Sequence, residues 1–336
     1  MNMSTENSQT IFFKNAPRIL AGYSVVGPKE GQGAFKDYYD KILDGDQLKE
    51  KSYERAERLI FEMVIENAIK KAGLKAGDIN ALLSGDLLNQ ITASGFCAAK
   101  FDIPFLGLFG ACATFTEAMA LGAVLIDGGY IKHAACASGS HFSSVERQYR
   151  FPLELGTQRP PTAQWTVTGA GCSILGAGGK GIKVTAATMG KVIDYGIKDV
   201  NNMGGAMAPA AMNTIEAHLR DTGNKPDDYD MIVTGDLGKF GSQMLRELMD
   251  NKGIKLGTNY HDCGAMIFTK GQKVLQGGSG AGCAPVVFNS FILEKMRREK
   301  LKKVLFIATG ALLSTVSAQQ GDSIPCIAHA ILVEGE

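Results

Sequence analysis

The sequence predicts an internally duplicated α/β protein, two βαβ-rich halves packed with pseudo-twofold symmetry. Three pairs of matching segments, met in the same order in each half, carry that expectation. Ser84-Gly85-Asp86-Leu87 matches Thr234-Gly235-Asp236-Leu237 at an offset of 150 residues. Gly110-Ala111-Cys112-Ala113 matches Ala281-Gly282-Cys283-Ala284 at an offset of 171, and Ile131 to Gly139 matches Lys302 to Gly310 at the same offset. One such match is weak; three in order indicate two copies of one supersecondary unit, each needing the other to bury its apolar face.

Taken in chain order, Ala56, Leu59, Ile60, Met63, Val64 and Ala68 recur at helical spacing, with Gly73 as the stop. Ala81 to Ser84 then reads as a buried strand, and Met231 to Thr234 as its counterpart. Cys112 and Cys283 each open a long helix, and each helix leads to a Lys-bearing strand. The change of offset implies about 21 extra residues in the second half, placed most simply around Asn259 to Gln276. Gly178 to Gly181 reads as a hairpin turn closing the first half, so the halves are residues 1–185 and 186–336.

Bulk properties exclude several classes. Hydrophobic residues are 45% and charged residues 21% of the 336, ordinary for a protein with a sizeable core. A formal net charge of +1 provides no broad basic field for a nucleic acid or an anionic membrane. Seven cysteines without paired spacing make zinc binding or a full disulfide framework unexpected, and no EF-hand or carboxylate cluster is present. Neither a signal peptide nor a membrane span is expected, nor any cofactor.

The chemistry-bearing candidate is Cys112. Thr114 with Glu117 fits a capping box, which puts the cysteine at or just before the first turn of a helix. Free N–H groups and the positive dipole end there favour a thiolate. The same pattern also fits a small buried cysteine at a close helix crossing.

Ala111-Cys112-Ala113-Thr114-Phe115 resembles the nucleophile turn of thiolases and ketoacyl synthases, a superfamily with the same duplicated layout. More narrowly, Ser138 to Phe142, Glu146 to Glu154, the run from Gln158 to Gly169, Asp262-Cys263-Gly264 and Gly277 to Cys283 resemble the stage V sporulation protein AD family. The resemblance covers nearly the whole chain. It implies a thiolase-like fold layered α-β-α-β-α and a homodimer. It also implies a peripheral place at the spore inner membrane beside other stage V sporulation membrane proteins. The expected ligand is dipicolinic acid, taken up into the spore core during sporulation, with release in germination as a further expectation.

Against that superfamily's chemistry, the second half lacks the usual partners. Where the superfamily commonly has a histidine this chain has Gly235-Asp236-Leu237-Gly238, and where a ketoacyl synthase III has its Gly-Asn loop it has Gly277-Gly278-Ser279. Losing an oxyanion donor costs roughly 10²–10³ in rate, and losing an acid–base group roughly 10²–10⁴. A non-catalytic binding protein is therefore expected; the alternative is an acyltransferase or condensing enzyme using Cys112. A pyridine dicarboxylate needs apolar walls and two sets of donors. Cys112, His141, Arg150, Arg159, His261 and Ser279 are the residues expected to line its site, and Arg147, Gln158, Gln164 and Trp165 lie in the same stretch. Any Ca²⁺ is expected to arrive with the ligand. Surface ion pairs for the arginines, a loop setting for His261 and a core setting for Cys283 are the plainer readings.

Overall fold

The computed structural model describes residues 8–150, 153–155 and 158–335. Its strands are β1 (Thr10–Phe12), β2 (Arg18–Val26), β3 (Lys41–Ile42), β4 (Ala81–Gly85), β5 (Phe105–Gly107), β6 (His133–Ser140) and β7 (Trp165–Thr166). They continue as β8 (Gly169–Gly176), β9 (Lys183–Thr188), β10 (Met231–Thr234), β11 (Tyr260–Asp262), β12 (Gly278–Ser279), β13 (Lys303–Ala311) and β14 (Cys326–Glu334). The helices are α1 (Tyr53–Lys71), α2 (Thr92–Phe101), α3 (Thr114–Asp127), α4 (Phe142–Tyr149), α5 (Met203–Thr222) and α6 (Gly238–Asp250). After them come α7 (Cys263–Ile267), α8 (Cys283–Val287), α9 (Leu293–Arg297) and α10 (Thr315–Gln319).

The duplication is visible in the strand order. From the centre outward, one half runs β2-β8-β6-β4-β5 and the other β9-β14-β13-β10-β11. In each half the last strand in sequence, β8 or β14, is antiparallel to both neighbours, while the outer three are parallel. At the centre of the sheet β2 and β9 share a single register pair, Arg18 with Lys183, beyond which β1 takes over as the neighbour of β9.

Strand parity then builds the layers. Ala81 and Leu83 point into the central core, and Leu82 between them packs outward with α1 and α2. Met231 and Val233 likewise face the centre, with Ile232 outward toward α5 and α6. Both faces of each half-sheet are covered, which is why these strands read as continuous apolar runs. In the central layer α3 touches strands of both halves, and Phe115 meets Phe288 and Phe306 at ring-centroid distances of 5.4 and 6.2 Å. Truncating so buried a phenylalanine costs about 3–5 kcal/mol. The matching second-half helix is α8 and α9 joined by a π-helical turn, Phe288–Ile292.

Local signals account for the ends of these elements. The Ser52 side chain accepts from the Arg55 N–H at the start of α1, and Gly73 adopts φ +73° just beyond its end. Two sequence expectations fail. Gly178 to Gly181 does join β8 to β9, but these strands are not partners: β2 lies between them, so the turn bridges a strand and is no hairpin. The capping box is absent as well. Thr114 Oγ1 accepts from Gly110 N and donates to Ala111 O, while one carboxyl oxygen of Glu117 is buried without a partner. A 3-10 turn, Ala111–Ala113, precedes α3 and removes the geometry a box requires.

The inserted segment of the second half follows β11. It holds α7 and ends in β12, which pairs with β7 of the first half, Gly278 opposite Trp165 and Ser279 opposite Thr166. This small two-stranded sheet carries Ser279 across the repeat junction toward Cys112.

Candidate functional site

Cys112 sits on the 3-10 turn that enters α3, at the carboxyl ends of the parallel strands, where open α/β sheets place their ligands. The turn is tight. Ala111 adopts φ +50°, a left-handed conformation that a residue with a Cβ rarely takes. Opposite it, a Cβ on Gly310 would lie 2.1 Å from the Gly110 carbonyl oxygen, so the end of β13 approaches the turn as only glycine permits. Both repeats are thus pressed together at this cysteine.

Behind the sulfur stands Asp236, at the end of β10 and almost fully buried. Its carboxyl accepts from Thr309 Oγ1 at 2.7 Å, Ser279 Oγ at 3.1 Å and the Gly280 N–H at 3.2 Å, and the Cys112 thiol lies within its electrostatic reach. Burial pushes this acid up to about 6, against the pull of those donors. Cys112 is shifted further from reactivity. Burial drives its thiol well above the ordinary range, the Asp236 carboxylate adds to that, and contact with Gly280 N–H and the charge of Arg150 only partly offset it. The thiolate expected from a helix start is therefore not favoured, because lost solvation and a neighbouring anion outweigh the dipole.

A cavity of about 60 Å³ opens in front of the sulfur, lined by Cys112, Ser279, Gly280, Arg150, Tyr149 and Thr166 with an apolar wall. Leu87, Phe109, Val145, Met203, Met207 and Leu313 make up most of that wall. A cleft of about 540 Å³ shares Phe109, Tyr149 and Leu313 with it and forms the approach. Arg150 supplies the positive charge. One of its terminal nitrogens pairs with Glu146, and its Nε is buried without any partner. An orphaned guanidinium N–H beside a cavity is a donor waiting for an acceptor.

Three of the six expected site residues, Cys112, Arg150 and Ser279, thus converge on one cavity. The other three do not line it. His141 is the N-cap of α4, with Nδ1 accepting from Ser143 N and Nε2 bonded to the Asp46 carbonyl, so both ring nitrogens are consumed in holding a loop. Arg159 is held by Glu146 and the Gln164 carbonyl, and its guanidinium lies 4.7 Å from the centre of the Trp165 ring. Trp165 itself stacks on Phe142 at 4.0 Å. His261 is exposed on β11, away from the cysteine.

Gln164 serves structure, donating to the carbonyls of Asp236 and Gly278, and Arg147 pairs with Glu54. Cys283 is a fully buried core residue at the start of α8. Asp262 caps the turn after β10, accepting from Thr234 Oγ1, Leu237 N, Gly238 N and Ala265 N. Phe151 and Pro152 of the family-like run lie outside the described residues.

Sequence reasoning missed Met203 and Met207, which reach the cavity from the start of α5, and Phe109 and Leu313 at its mouth. No motif marks them. Among the described residues, no group of three or more His, Cys, Asp or Glu is arranged to hold a metal ion, and no helix is long and apolar enough to cross a membrane.

Two half-sheets of matching topology, a central helix pair and a cysteine at the head of the first central helix define a thiolase-like protein. Solved structures agree on the fold: 3-oxoacyl-[acyl-carrier-protein] synthase III of Aquifex aeolicus superposes with a TM-score of 0.58 at 10% identity, covering 95% of this chain and 99% of that one. A glutamine variant of OleA from Xanthomonas campestris gives 0.62 at 14% identity, over 96% and 99%. Within that class the chain belongs to the stage V sporulation protein AD family, whose model matches residues 7–334. The stage V sporulation protein AD of Bacillus subtilis (strain 168) is 42% identical over 332 residues, spanning 99% of this chain and 98% of that protein.

Proposed function

We propose that this chain is a non-catalytic binding protein of bacterial spores, and that its thiolase-type cavity holds dipicolinic acid for uptake into the spore core and later release in germination. The observation that carries this reading is Asp236 against the Cys112 sulfur. Condensation requires hydrogen-bond donors where an oxyanion develops and a thiol ready to ionise; a carboxylate opposes both. Among the described residues, neither a histidine nor a side-chain amide lines the cavity to replace them.

Binding is better served than turnover. Arg150 offers an unpaired N–H to one ligand carboxylate, and Phe109, Leu313 and the two methionines offer apolar contact to a ring. The 60 Å³ cavity is smaller than the roughly 150 Å³ void that takes up a benzene ring. The ligand therefore puts a carboxylate inside and its ring at the mouth, with Met203 and Met207 giving way. Ca²⁺, which no cluster among the described residues is arranged to ligate, accompanies the ligand as its chelate.

The same reading places the protein as a homodimer at the face of the spore inner membrane, beside other stage V sporulation membrane proteins. The edge strand β5, with Leu106 half-exposed and Phe96 of α2 nearby, is the surface it assigns to the second copy. Titration calorimetry of the full chain with dipicolinate, with and without Ca²⁺, tests the central claim. Saturable binding is expected, and its absence at millimolar ligand removes the reading.

A further inference from the structure

A cavity backed by a carboxylate is an unfavourable place for an anion, and the hydrogen-bond directions make it worse. The Ser279 hydroxyl has one proton and gives it to Asp236, so toward the cavity it offers only lone pairs. Thr309 Oγ1 and the Gly280 N–H are committed to Asp236 too. With Asp236 ionised, every one of these protons points away from a ligand.

We propose that Asp236 is a proton-operated positioning residue: once protonated it donates to Ser279, turns that hydroxyl's proton into the cavity, and so lets an anionic ligand bind with uptake of one proton. This rests on the reading that the cavity takes a carboxylate ligand. The balance is simple. Protein, ligand anion and one proton from solvent combine to a complex, with no covalent bond made or broken.

The surroundings favour such a proton. Facing Asp236 are the Cys112 thiol from the turn before α3, Ser279 on β12 and Thr309 on β13. Asp262 at the end of β11, Cys263 opening α7, Cys283 opening α8 and Cys326 on β14 also feel its charge. Arg150, at the end of α4, is a cation acting on the Cys112 end of this group. Asp262 is itself an acid raised to about 7, so the pair resists carrying two charges. With a folded value of about 6, Asp236 is about half protonated at pH 6 and about one hundredth protonated at pH 8. Ligand carboxyls, with reference values near 4, stay ionised throughout that range.

The experiment is calorimetry of the full chain with dipicolinate at pH 6 and pH 8, in two buffers of different ionisation enthalpy. Binding roughly fiftyfold weaker at pH 8 is expected, with an uptake, read from the buffer dependence, of about half a proton per ligand at pH 6 and approaching one at pH 8. The isosteric Asp236→Asn variant keeps a donor permanently, so it should bind equally well at both pH values. Equal affinity of the unaltered protein at the two pH values, or no buffer dependence, overturns the switch while leaving the binding reading intact. No saturable binding at either pH sinks that reading, and this one with it. Should Asp236→Asn fail to fold, the proton count on the unaltered protein decides alone.

Discussion

The Cys112 thiol and the Asp236 carboxyl face each other across the junction of the two repeats, and the carboxylate, on top of burial, tightens the thiol's hold on its proton. A condensing enzyme would have the opposite arrangement, a donor or cation beside the sulfur. The consequences are measurable at the cysteine, at the arginine in front of it, at the sheet edge and in the stability of the fold.

Cys112 should be a poor nucleophile. Its thiol lies well above the ordinary range, so the folded protein is expected to stay unmodified, by intact mass, after incubation with acyl-CoA donors. Iodoacetamide should react at the buried thiol far more slowly than with a free cysteine. Asp236→Ala removes the adjacent charge that helps hold the thiol protonated and should speed alkylation. An acyl adduct on Cys112 in folded protein would restore transferase chemistry as the better reading.

Arg150 should dominate ligand affinity. A charge-assisted hydrogen bond contributes about 1.5–3 kcal/mol, so Arg150→Ala is expected to weaken dipicolinate binding about ten- to a hundredfold. Arg159→Ala should matter less, by under about tenfold, because it acts only through the shared Glu146. His141→Ala should lower stability by about 1 kcal/mol through the lost cap and leave affinity unchanged. Calorimetry on the three variants separates these effects; loss of binding in folded His141→Ala would contradict the site as drawn.

If β5 pairs with a second copy, Leu106→Lys should dissociate the dimer. Light scattering at micromolar concentration is expected to give two chain masses for the unaltered protein and one for the variant. A monomer in both cases removes the homodimer.

His218 links α5 to two other elements, through Thr188 Oγ1 at 2.7 Å and Tyr229 Oη at 3.0 Å. Burial lowers it to about 4, against roughly 6.5 in an unfolded chain. The folded state therefore refuses a proton that the unfolded state accepts. The stability this group contributes is present above about pH 6.5 and is lost as pH falls toward 4, by up to about 3 kcal/mol. Urea unfolding of the unaltered protein and of His218→Gln should diverge in slope only within that window. Parallel pH profiles would show that the histidine is not buried uncharged.

Much of the fold was legible because it is written twice. Ser84 to Leu87 and Thr234 to Leu237 end corresponding strands, and Cys112 and Cys283 open corresponding helices; turn chemistry and apolar periodicity are local properties that a chain carries in its letters. That Asp236 and Ser279 stand at the ends where the two repeats meet was legible too, since both could be read at those positions. The histidine at 141 misled for a local reason: a residue after a strand end is as well placed to cap the next helix as to enter a cavity, and its ring nitrogens went to the backbone.

The sequence by itself determined the duplicated α/β architecture, the place of Cys112 at the head of the central helix and that of Asp236 just past the strand end of the second repeat. Only the tertiary structure decided that Asp236 lies on the sulfur, that Arg150 rather than Arg159 faces the cavity, and that Met203 and Met207 close it. Those contacts join residues far apart in the chain. They depend on how two half-sheets press together at Gly310 and on the pairing of β7 with β12, and neither leaves a periodic trace in either segment alone.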